Sequence, residues 1–117
     1  MKSFLLALGL GLAATPLLAE GLAFEPVAPE GLDAAATEMV AALQANLPGQ
    51  MPAFEQQGYG YYGAIAVPKG VDLKPELLSS VANFATPEEA AKGVLEACLQ
   101  QTGAECTVIG MLVPAGS

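Results

Sequence analysis

A chain of 117 residues has room for one domain, and its composition narrows what that domain can do. Twelve acidic residues against four basic ones, with no His and no Trp, give a net charge of −8, which argues against nucleic acid or an anionic membrane surface as partner. Without histidine, neither the Ser–His–acid and Cys–His catalytic arrangements nor a His-containing zinc site can be assembled.

The chain opens as an export signal. Met1 and Lys2 form a short positive region, residues 4–18 are apolar, and Ala19 precedes the acidic Glu20. This is the tripartite pattern of a secretory signal peptide, with cleavage after Ala19. Leu17 at the −3 position is large, so cleavage after Ala23, with Gly21 at −3, is the alternative. Roughly fifteen apolar residues fall short of the twenty or so that span a bilayer, and Gly9, Gly11 and Pro16 interrupt them. Processing is therefore expected, with a periplasmic or secreted product and no membrane insertion afterwards. Removing residues 1–19 leaves 98 residues that keep every acid but only Lys69, Lys74 and Lys92, a net charge of −9.

Residues 20–31 (EGLAFEPVAPEG) are rich in Pro and Gly without periodicity and read as a flexible leader to a single domain over 32–117. Asp33 is placed to cap a helix running through Asn46, in which Leu32, Ala36, Met39, Val40, Leu43 and Leu47 recur at helical spacing. Pro48 and Gly49 should stop it, and residues 49–58 (GQMPAFEQQG) read as a loop. Residues 59–67 (YGYYGAIAV), bounded by Gly58 and Pro68, form the first expected strand. Its Gly60, Gly63, Ala64 and Ala66 suit a strand that a helix approaches closely. Residues 77–85 (LLSSVANFA) form the next strand.

A helix start follows, with Thr86 as N-cap, Pro87 at the first helical position and Glu89 three residues after the cap. Glu88 and Glu89 also favour the positive end of the helix dipole. Ala91, Val94, Leu95 and Cys98 share one face, opposite Glu88, Lys92, Glu96 and Gln100. Gly103 ends this helix, and residues 105–113 (ECTVIGMLV) make a last strand stopped by Pro114. The expected fold is α+β: a small three-stranded, mostly antiparallel sheet (strand-strand-helix-strand) with an additional N-terminal helix. The helix crosses back so that the last strand runs parallel to the second, on the far side of the first, with a right-handed crossover.

Cys98 and Cys106 are the only cysteines, and in an exported chain an even count reads as a disulfide. A loop this short corresponds to about 2.5 kcal/mol of chain-entropy stabilisation. The alternative is a redox dithiol. Such motifs usually separate their cysteines by two residues at a helix N-terminus, where the thiolate is favoured. Here seven residues intervene and Cys98 lies near a helix C-terminus, so a structural bridge is expected. If Cys106 faces the helix, alternation sends Val108, Gly110 and Leu112 with it and leaves Thr107, Ile109, Met111 and Val113 on the other face. That face is too apolar to be left wet. Either the N-terminal helix docks there or a second copy covers it. With the helix docked, any ligand site should lie at the sheet end near the 68–75 loop.

Tyr59, Tyr61 and Tyr62 are the only aromatic cluster, with Tyr59 and Tyr61 expected on one face and Tyr62 on the other. They are candidates for a stacking platform under an apolar or sugar-like ligand, or else half-buried strand residues. Asn83, polar within a strand, is a candidate ligand contact or a bond to a neighbouring loop. The acids do not fall at calcium-loop spacing, and no two stand out as a glycosidase pair. No catalytic residue, metal ligand or cofactor is assigned.

Residues 61–113, with YYGAIAV, SSVANFATPEEAAKGVLEAC and ECTVIGMLV, are similar to small secreted bacterial domains of unknown function. These share a GAIA-type strand, an Asn-containing second strand, an alanine-rich helix ending in Cys and a second Cys opening the last strand. Some look-alikes carry the name aminolevulinate synthase, which implies a pyridoxal-phosphate enzyme condensing glycine with succinyl-CoA. Such an enzyme needs a large cofactor fold with a Schiff-base lysine and phosphate-binding groups. With 98 residues and three lysines to supply them, the resemblance implies the fold and carries over no catalytic residue. The functional expectation is an exported, non-enzymatic binding or interaction module for a protein or small molecule. The alternatives are an accessory subunit of an envelope complex, a homodimer through the open face, and an enzyme whose site is unrecognised.

Overall fold

The computed structural model describes residues 21–115; the expected signal peptide lies outside them. The fold is α+β. In chain order the elements are β1 (Leu22–Pro26), α1 (Ala34–Asn46), a 3-10 turn (Leu47–Gln50), α2 (Met51–Gln56), β2 (Tyr62–Pro68), a second 3-10 turn (Pro75–Leu77), β3 (Ser79–Phe84), α3 (Pro87–Thr102) and β4 (Cys106–Pro114). Both long helices begin where their caps predict. Asp33 Oδ1 accepts from the Ala36 N–H at 2.8 Å, and Thr86 Oγ1 accepts from the Glu89 N–H at 3.1 Å. Gly103 closes α3, its N–H donating to the Leu99 carbonyl at 2.8 Å.

The sheet is fully antiparallel in the order β1-β4-β2-β3. β4 lies beside β2 on the side away from β3, as the crossover requires. Two expectations are corrected. The sheet has four strands, not three, because the Pro- and Gly-rich segment read as a leader supplies β1, which pairs with β4 from Leu22↔Pro114 to Pro26↔Gly110. A bond from the Ala115 N–H to the Gly21 carbonyl, at 2.9 Å, extends this pairing to the ends of the described chain. The segment read as a loop after Pro48 is instead a 3-10 turn running into α2. Prolines 48 and 52 sit at the first or second position of each, where a missing N–H costs nothing.

Two register shifts decide which side chains share a face. Ile65 pairs with Gly110 but Ala66 pairs with Val108, so Ile109 is an extra residue in β4. Such a bulge reverses the alternation beyond it. Cys106 and Val108 face α3 as expected, while Ile109, Gly110 and Leu112 face α1, and Met111 returns to the α3 side. The expected pairing of Leu112 with the Cys106 face, and of Met111 and Val113 with the opposite face, is thereby overturned. Gly110 is bare because the Phe24 ring of β1 lies where its Cβ would be. The second shift places an extra residue in β3 beside Asn83, whose φ is 69°. There the Val81 carbonyl presses on the position a Gly63 side chain would occupy.

The sheet separates two cores. On one side α1, the first 3-10 turn and α2 cover Ile65, Val67, Ile109 and Leu112 with Val40, Leu47 and Met51. Each fully buried aliphatic side chain of this layer is worth about 1.5–3 kcal/mol before entropy costs. On the other side Ala90, Val94 and Cys98 of α3 lie on Ala64 and Ala66 of β2. The small residues of β2 therefore admit α3, while its branched residues meet α1. Gln44 fastens α1 at the bulge, its Nε2 donating to the Val27 and Ile109 carbonyls, both at 2.9 Å.

Candidate functional site

The tyrosines do not share a surface. β2 begins only at Tyr62, so the alternation expected from residue 59 is not established. Tyr59 stacks on Phe54 of α2, with ring centroids 5.3 Å apart, and its hydroxyl lies 3.3 Å from Ser80 Oγ. Tyr62 packs into the α3 core on the opposite side of the sheet. Tyr61 is exposed. Asn83 is used within the fold: its Oδ1 accepts from the Gly60 and Tyr61 N–H groups at 2.9 and 3.1 Å, and its Nδ2 donates to the Gly58 carbonyl at 3.0 Å. It shapes the loop that leads into β2.

Cys98 and Cys106 form a disulfide, with their Cα atoms 6.2 Å apart, and join the last turns of α3 to the first residue of β4. Thr102 supports the same corner, its hydroxyl donating to the Cys98 carbonyl at 2.7 Å and accepting from the Ala104 N–H at 3.2 Å.

Two other regions stand out. α3 packs on β2, β3 and β4, whereas β1, apart from its pairing with β4, packs against the first 3-10 turn and α2 on the other side. On the α3 side β1 is thus the least covered strand, while Val108 and Met111 of β4 pack against the α3 core. Pairings Ala23↔Val113 and Glu25↔Met111 place these residues on one face with Val108. Ala23, Val27, Val108, Met111 and Val113 are each half-buried. A groove of about 240 Å³ runs between Val27, Val108 and Leu95 of α3, and Leu95 and Leu99 are 36% and 52% exposed. The second region is a cavity of about 490 Å³ between the start of α1 and residues 70–73, lined by Asp33, Met39 and Asp72 among others. It lies beside the 68–75 loop, the end of the sheet at which any ligand site was expected to lie. The β1 side was missed because β1 was not recognised and the bulge was not foreseen.

Among the described residues no three His, Cys, Asp or Glu side chains are grouped to hold a metal ion, and no helix is long and apolar enough to cross a membrane. No protein-family model, curated protein or solved structure matches this chain.

Proposed function

We propose that the chain is an exported, non-enzymatic interaction module that joins a larger assembly through the β1 side of its sheet. One observation carries this reading: at the β1 edge, where α3 gives least cover, the half-buried Ala23, Val27 and Val113 flank Glu25 and continue the apolar face that Val108 and Met111 form beside α3. Contiguous apolar surface on a small domain marks an interaction site more often than does a scatter of single residues. Two features support export: the signal-peptide pattern of residues 1–19, and the disulfide, a bond that persists in oxidising compartments. The periplasm or the cell exterior is the compartment this implies.

The test is photo-crosslinking in the exporting cell, with a benzophenone amino acid placed singly at Met111, Val113, Glu38 or Glu76. Adducts from Met111 and Val113 alone are expected. An adduct of twice the chain mass would identify a second copy as the occupant. Equal labelling from all four positions, or none from Met111 and Val113, would remove the proposed surface.

A further inference from the structure

We infer that the occupant of the β1 side is an amphipathic helix with a basic flank, carried by a different protein; this deepens the reading above and rests on it. Such a strip could take an added strand, a second copy of the chain or a helix laid beside α3. The edge of β1 is closed to a further strand. The Gly21 carbonyl and the Val27 N–H bond to β4, so alternation turns Ala23 and Glu25 the same way and leaves Leu22, Phe24 and Pro26 pointing outward. Of these, the Leu22 N–H already donates to Glu55 Oε2 at 2.8 Å, and Pro26 has no N–H. Phe24 alone keeps an outward donor, too few for a ladder.

The face beside α3 has instead the form of a helix seat. Leu95 and Leu99, one turn apart on the flank of α3, are its most exposed apolar side chains. Clefts of about 370 and 240 Å³ run from this flank to Cys106 and Val108 of β4 and to Val27 beyond β1. Ala23 and Val113 carry the floor to the edge of the sheet. A strand the length of β1 spans roughly 16 Å, which about eleven helical residues match. A helix there meets the sheet as α3 does, with Leu95 and Leu99 as its side wall. The rim selects its charge. Glu25 projects from the strip itself, Glu96 and Glu105 line the larger cleft, and Glu30 lines the smaller. Lys92 and Lys69 are the cations beside them, and Lys69 is engaged with Glu105 at 3.7 Å. A second copy would bring the same carboxylates and the same net charge of −8 to the contact. Lys or Arg flanking an apolar stripe complements both floor and rim.

The test is an amide NMR titration of the purified protein with three synthetic peptides of about fourteen residues. One has Leu and Lys at helical spacing, one has Leu and Glu in the same order, and one has Leu and Lys in strict alternation. Saturable shifts at Ala23, Val27, Leu95, Leu99 and Val108 are expected for the first, with the other two about tenfold weaker or worse. Leu95→Ala with Leu99→Ala spares the buried face of α3, so the fold should persist and affinity for the first peptide fall about tenfold. The comparison of peptides needs no variant. Equal binding of the Glu peptide would overturn the basic flank, and equal binding of the alternating peptide would overturn the helix. Shifts that map elsewhere, no saturable binding, or a doubled-mass adduct in the cell would overturn the inference whole. Crosslinks kept at Met111 and Val113 without peptide binding would sink the helix and leave the interaction module standing. Peptide binding at the strip without those crosslinks would support the helix seat and remove the module.

Discussion

Asn83 stands in the left-handed region at φ 69°, and three hydrogen bonds hold it there. Two burdens can be separated by substitution. Ala at this position incurs about 1–2 kcal/mol for the left-handed backbone and loses the side-chain bonds as well. Gly loses only the bonds. Asn83→Ala should therefore destabilise by about 2–3 kcal/mol and Asn83→Gly by about 1–2, read from urea denaturation. Equal losses would show that the backbone conformation is not the burden. That Asn83, polar within a strand, bonds to a neighbouring loop was among the sequence-based expectations, beside a ligand contact. Its exact partners were not legible, because they depend on a register shift in β3. Gly63 was legible as a close-approach residue, but what approaches is the Val81 backbone of the neighbouring strand rather than a helix.

The elements most visible in the sequence are those whose signals are local. Asp33 and Thr86 start α1 and α3, Gly103 ends α3, and the apolar period lies between. β1 was not visible because its partner is β4, near the other end of the chain, and five residues ending in Pro26 carry little alternation of their own. α2 was hidden by prolines that act as starts and not as stops. The bulge at Ile109 left no mark except Gly110, whose bareness makes sense only with Phe24 over it. Gly110→Ala should accordingly destabilise by about 1–3 kcal/mol through overpacking, and Phe24→Leu in the same chain should recover part of the loss. Additive losses in a double-mutant cycle would contradict the contact. For the corner joining α3 to β4, replacing both Cys98 and Cys106 with Ala should cost about 2.5 kcal/mol while leaving the far-ultraviolet circular dichroism unchanged. Loss of the native spectrum would assign the bridge a role in specifying the fold.

At the scale of the molecule, helices flank the sheet on both sides, as expected, but the two sides are unequal. The α1 layer is closed over Ile65, Val67, Ile109 and Leu112, and the α3 layer, which packs on β2, β3 and β4, leaves β1 the least covered strand. A chain beginning at Gly49 lacks both β1 and α1. It should lose the cooperative transition altogether, since Ile109 and Leu112, each 0% exposed, would then face water. A truncated chain that remains folded and monomeric by sedimentation would show that α1 contributes little cover. The same strand bears on the expected processing. Cleavage after Ala23 would remove two residues of β1, whereas cleavage after Ala19 leaves the strand whole. N-terminal sequencing of protein recovered outside the cytoplasm should therefore read Glu20, and an intact Met1 there would refute export by signal cleavage.

Of the described elements β4 is made last, and it lies inside the sheet, between β1 and β2. Order of synthesis and order of assembly are thus opposed: β1 emerges first and waits for a partner that emerges last. Until Pro114 is free, the sheet can be no more than the β2–β3 hairpin under α3, and two-stranded hairpins are marginal in water. Pairing the ends of a chain is also the slowest kind of contact to form. If the chain is exported as its first residues suggest, it can complete this sheet only after β4 has crossed the membrane. Ending the chain at Gly103 should leave a product that never folds, detectable as complete sensitivity to protease.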